Sequence, residues 1–165
     1  MKRAVLWLTM IVSFAACENS ADPLGGILGG GGGALTTAQA TGSWLFTVQR
    51  TTTLPCSSAL ASGQQITAQL FVLSDGTVGT TSSWLNPISL AVEPVSGLVG
   101  LTDGVTRLTF TAPAANGTAG MELRGTMTSA RGFTGGTLTD PAGSGFSQMF
   151  GSGGCEYSVT GTKTS

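Results

Sequence analysis

The sequence predicts an all-β domain folded as an eight-stranded antiparallel up-and-down barrel, with a two-sheet β-sandwich as the alternative. Three observations lead there. The 165-residue chain holds 26 glycines and only 9% charged residues while keeping 41% apolar ones. That balance suits pleated surfaces, with glycine supplying turns and bulges. From Gly42 onward, apolar and polar residues alternate over short runs broken by turn signals, and no long window keeps a helical period. The links between these runs alternate between short and long, as they do where a barrel has a closed base and an open mouth.

The first strand is read over Trp44–Thr53, with Trp44, Phe46 and Val48 on one face. The second, Gln65–Leu73, places Ile66, Ala68, Leu70 and Val72 together, and Ser74-Asp75-Gly76 turns the chain into a third over Thr77–Trp84. The fourth spans about Val95–Leu101 and turns at Thr102-Asp103-Gly104 into the fifth, Val105–Thr111, with Leu108 and Phe110 aligned. The sixth, Ala119–Thr128, alternates Met121, Leu123 and Met127 against Glu122, Arg124 and Thr126. A turn at Ala130-Arg131-Gly132 leads to the seventh, Phe133–Thr139, whose Gly135-Gly136 pair shifts the alternation as a bulge does. The eighth, Cys155–Thr162, faces Tyr157 and Val159 inward. Asp-Gly and related turns supply the positive φ angles that tight hairpins need.

The long links are Leu54–Gln64, Asn86–Pro94, Ala112–Thr118 and Asp140–Gly154, all at one end of a meander. Cys56 follows the first strand and Cys155 begins the eighth. In a closed meander these strands are antiparallel neighbours, so the two sulfurs are expected to meet at the mouth and bond. Such a bond closes a loop of about 100 residues, worth roughly 4–5 kcal/mol in the chain-entropy model. An immunoglobulin-type sandwich instead bonds cysteines in mid-strand.

The N-terminus carries an address. Lys2 and Arg3 precede an apolar run from Ala4 to Ala16 that ends Phe14-Ala15-Ala16-Cys17. The run is too short for a permanent span of ~30 Å of hydrocarbon. Small residues ahead of a cysteine make residues 1–16 a lipoprotein signal and the Cys17 thiol the acceptor of a diacylglyceryl group. The expectation is a protein anchored to a membrane outside the cytoplasm. Glu18 stands where an Asp retains enteric lipoproteins in the inner membrane, which favours the outer membrane. Residues 17–41, with the run Gly29–Gly33, read as a flexible tether, and residues 42–165 as the barrel. That glycine run lacks the following Lys-Ser or Lys-Thr of a phosphate loop.

The opening Gly42-Ser43-Trp44, the eight-strand meander and the closing Val159-Thr160-Gly161-Thr162-Lys163 resemble the small lipocalin and avidin-type barrels over about Gly42 to Lys163. The glycine- and threonine-rich wording also resembles uncharacterised lipoproteins of environmental bacteria. In lipocalins a first-strand Trp closes the barrel base, often under an Arg from late in the chain. Trp44 matches the first; Lys163 is the only late basic residue and departs from the second. No residue can be matched to a biotin or retinoid site.

Function classes narrow by chemistry. The chain has no histidine, which removes Ser-His-Asp and Cys-His catalysis and imidazole metal sites. Neither Cys56 nor Cys155 has the CxxC spacing of redox or zinc sites. Without Lys2 and Arg3 the chain has five basic and eight acidic side chains and no basic cluster, which argues against nucleic acid. Glu93 and Asp140, in mouth loops, are the one carboxylate pair placed for acid–base work; solvated loop charges are the ordinary alternative. The expectation is a non-enzymatic protein without cofactor or metal. Its partners would be the membrane, through the lipid on Cys17, and either a small apolar ligand at the mouth or an envelope protein. Arg50 shares parity with Trp44 and Val48 and would anchor an anionic head group there; the alternative is a twist or bulge near the strand end that turns it to solvent. Trp84, Phe146 and Phe150 would line the site, beside Ile88, Leu90, Val92 and Met149. The competing expectation is that side chains fill the barrel, as eight strands allow. Arg107 and Arg124 belong on the outer face, paired across strands with Glu122.

Overall fold

The structure is a computed structural model in which residues 34–52, 60–111, 120–140 and 155–165 are described. Eight antiparallel strands form a closed barrel in sequence order: β1 (Gly42–Arg50), β2 (Gln65–Leu70), β3 (Ser83–Leu85), β4 (Val92–Val99), β5 (Val105–Phe110), β6 (Met121–Met127), β7 (Gly132–Asp140) and β8 (Cys155–Lys163). The expected barrel forms, and the sandwich does not. Its seam is a long ladder between β1 and β8, from Trp44 opposite Lys163 to Arg50 opposite Tyr157. No described strand is left with an open edge, the usual template for unwanted pairing.

Alternation builds the core. Trp44, Phe46 and Val48 of β1, Ile66, Ala68 and Leu70 of β2, Leu108 and Phe110 of β5, and Tyr157 and Val159 of β8 are all buried. The inward rings meet across the axis. Phe46 lies nearly parallel to Trp44, with centroids 6.1 Å apart, and meets the edges of Phe110 at 6.2 Å and Phe133 at 5.2 Å. β1 and β5 are diametrically opposite in an eight-strand ring, so the contact between Phe46 and Phe110 spans the barrel at that level. Glycines make room for the rings. A Cβ on Gly161 would sit 2.7 Å from the Phe46 ring, and one on Gly125 or Gly136 would sit 2.4 Å from that of Phe133. The register of β7 shifts on both sides between Phe133 and Gly136 and between Arg124 and Thr126, and Gly135 adopts φ +59°. This is the expected bulge.

The short-link end is closed by a segment that the sequence reading assigned to the tether. Thr36 caps a single helical turn, α1 (Thr37–Ala40), in a reciprocal capping box with Gln39. Leu35 and Ala40 are buried, and the Trp44 indole N–H donates to the Ala40 carbonyl at 2.8 Å. The Lys163 ammonium donates to the Ala38 carbonyl at 2.6 Å. The base is therefore plugged by the chain entering the barrel, and the late basic residue holds that plug instead of covering Trp44.

Four strands differ from expectation by three residues or more: β1 ends at Arg50 and not Thr53, β2 ends at Leu70 and not Leu73, and the third and fourth differ further. The third was expected over Thr77–Trp84, but only Ser83–Leu85 forms a ladder. Thr77 and Val78 instead make isolated bridges to Leu98 and Val72. A turn closed by the Ser82 N–H on Gly79 O intervenes, and Ser82, buried, accepts the Phe71 N–H on its hydroxyl. The fourth starts at Val92, three residues early. Pro94 has no N–H to give, yet its carbonyl accepts from Thr111, so the strand runs through it.

Candidate functional site

The long-link end carries the polar chemistry of the interior. Glu93, placed in a loop from sequence, belongs to β4 and shares inward parity with Val95; it is 3% exposed. Asn86, fully buried just after β3, donates from Nδ2 to Glu93 Oε1 at 3.2 Å. Its Oδ1 accepts the N–H groups of Ile88 and Ser89, which folds the β3–β4 link back on itself. The Ser89 hydroxyl donates to the same Glu93 oxygen at 3.3 Å. Among the described residues, Glu93 Oε2 is buried without a hydrogen-bond partner. Loss of water pushes the Glu93 carboxyl above its ordinary value, against the opposing hydrogen bonds from Asn86 and Ser89. The signal for this network was present in the sequence, because Asn86-Pro87 initiates turns and Glu93 alternates with Val95.

Asp140 ends β7, opposite Cys155, and both are buried. β4 and β7 are separated by β5 and β6, so Glu93 and Asp140 share an end of the barrel without being strand neighbours. Among the described residues no three Cys, Asp or Glu gather as a metal site.

The expected ligand residues separate. Arg50 is exposed at the end of β1, past Val48, the last buried residue of that strand, although it stands opposite buried Tyr157, so the expected inward head-group anchor is not in the interior. The reason is its position: the inward alternation ends with Val48, and Gln49 and Arg50 both reach solvent at the lip. Trp84 is a core residue and does not line an open mouth. It is 1% exposed, packs against Phe110 at 5.3 Å and donates its indole N–H to Thr111 O. Phe146, Phe150, Cys17 and Cys56 lie outside the described residues.

On the outer wall the charges pair differently from expectation. Glu122 bonds Arg124 within its own strand, at 2.8 Å. Across the β5–β6 ladder Arg107 stands directly opposite Arg124, and Glu122 opposite Thr109. Residues two apart share a face of a strand, which lets Glu122 reach along β6.

No family model matches the chain, and neither a curated protein nor a solved structure is found to be similar to it.

Proposed function

We propose that this is a non-enzymatic lipoprotein of the outer membrane, cleaved after residue 16, anchored through lipid on Cys17, and displaying a side-chain-filled barrel that works through its surface. The observation that carries the filled-barrel reading is the contact between Phe46 and Phe110, side chains of opposite strands with ring centroids 6.2 Å apart. An eight-stranded barrel is just wide enough for its own side chains to fill it. A carrier for an apolar ligand at the mouth needs lumen where these rings pack, so the interaction role is the better reading. The anchor is supported by the sequence from Lys2 to Cys17 alone.

A Cys56–Cys155 disulfide belongs to this proposal. It is supported by the burial of Cys155 at the mouth end of the seam. The seam is where a barrel would fray, and a bond there restrains it.

Native mass spectrometry of the protein purified from its host membranes tests both parts. The expected species begins at Cys17, carries covalent acyl mass and holds no other small molecule. A stoichiometric apolar ligand that leaves only on denaturation would restore the carrier reading. A mass that retains residues 1–16, or lacks lipid, would remove the anchor.

A further inference from the structure

The outer wall of β4, β5 and β6 keeps two like charges in direct opposition. Arg107 and Arg124 are a cross-strand pair on the outside of the barrel. Side chains so placed have Cβ atoms about 4.5–5.5 Å apart, and like charges there are unfavourable. Glu122 relieves one of them: Arg124 donates to its Oε2 from Nε at 3.2 Å and from Nη2 at 2.8 Å. Among the described residues the Arg107 guanidinium has no hydrogen bond or ion pair.

The pair lines a groove of about 370 Å³ together with Gly97, Leu98, Thr109 and Glu122. Gly97 is obligatory there: its φ is +143°, and a Cβ would run into the Arg107 carbonyl. A second depression, of about 250 Å³, adjoins the first and shares Leu98 and Arg107 with it; Gly100, Asp103 and Val105 complete its wall. One continuous cross-strand row crosses both. Leu73 bonds Thr77, Thr77 bridges Leu98, Leu98 faces Arg107, and Arg107 faces Arg124. The row runs from apolar to cationic. At its apolar side, Phe71, Leu73, Leu98 and Val105 are between 41% and 51% exposed.

The geometry points to this outer groove as a binding site for an amphiphilic monoanion, its oxyanion head between Arg107 and Arg124 and its apolar part across Leu98 and Val105. Where the head group would sit, the charges of Arg107, Arg124 and Glu122 sum to one positive unit, which a single negative charge neutralises; the Asp103 carboxylate lies on the wall of the second depression, where it accepts the Val105 N–H, so the two depressions together are neutral. Guanidinium forks suit carboxylate and phosphodiester oxygens alike. The Thr109 hydroxyl is a further donor along the groove. The site is independent of the filled-barrel and anchor readings, because it uses only outward-facing described side chains.

Calorimetric titration of the purified protein at low salt tests it, with three probes: decanoate, monomeric dihexanoylphosphatidylglycerol and inorganic phosphate. At least one amphiphile is expected to bind, more weakly as salt rises, and at least tenfold more tightly than inorganic phosphate. Which amphiphile binds assigns the head group as carboxylate or phosphodiester. Arg107→Gln is expected to weaken binding at least tenfold, and Glu122→Gln to tighten it. Arg107→Glu separates binding from stability: it places opposite charges across the ladder, so the thermal midpoint should stay level or rise while binding is lost. The site is overturned if neither amphiphile binds the wild type, if phosphate alone binds as well as they do, or if Arg107→Gln keeps full affinity.

Discussion

Replacing Phe46 with alanine is expected to cost about 3–5 kcal/mol of stability, the range for truncating a fully buried phenylalanine. The residue is 1% exposed and its ring joins three others, from β1, β5 and β7. Removing it takes away the contact that crosses the axis, the stack on Trp44 within β1 and the contact to Phe133 of β7. The site cannot collapse easily, because Phe110 and Phe133 are carried by strands fixed in a closed ladder. Chemical denaturation read by circular dichroism gives the loss directly. A change below about 1 kcal/mol, as for a surface position, would mean that the ring is not part of a packed interior. Phe46→Leu keeps most of the volume and is expected to fall between the two, which guards against reading a general folding failure as a cavity.

Glu93→Gln is expected to change the pH dependence of stability. Burial raises the folded-state carboxyl above its unfolded value near 4.5. The folded protein therefore holds the proton more tightly than the unfolded chain does. That contribution is fully present below the unfolded value and is lost as pH rises through the raised folded value. Glutamine stands in for the neutral acid at every pH, so the variant and wild type should be close near pH 4. The variant should then gain relative to wild type as pH rises, levelling off once Glu93 is ionised. The expected outcome is a difference that is small near pH 4 and favours the variant at pH 7. Parallel pH profiles for the two proteins would show that Glu93 is not the titrating group. A variant that loses stability relative to wild type as pH rises would show that the ionised Glu93 carboxylate has a partner needing its charge.

How much could be read beforehand follows from which signals are local. The inward parity of Trp44, Phe46 and Val48, of Leu108 and Phe110, and of Tyr157 and Val159 was legible, because alternation over a strand depends only on the pleat. The β1–β8 seam followed from link lengths, and the Gly135-Gly136 bulge from an interrupted alternation. What failed depended on tertiary partners. Thr77 and Val78 read as the start of a strand, but Ser82 binds the Phe71 backbone and makes the chain turn first. Arg50 has the parity of an inward residue and pairs with buried Tyr157, yet at the end of β1 its side chain is exposed. Glu93 was cut off from its strand by Pro94, a residue that ordinarily marks a boundary. The Thr36–Gln39 capping box was present in the sequence, and the glycine run before it hid it. The opposition of Arg107 and Arg124 needs the β5–β6 register, which composition cannot supply.

The central claim is that side chains from opposite strands meet on the barrel axis. Nuclear Overhauser spectroscopy of the purified protein with selectively labelled phenylalanine tests it most directly. Cross-peaks between the ring protons of Phe46 and those of both Phe110 and Phe133 are predicted, as expected for edge-to-face rings at these separations. Strong contacts from Phe46 to Phe133 with none to Phe110, together with ring protons in contact with a co-purified ligand or water, would show an open lumen and contradict the account.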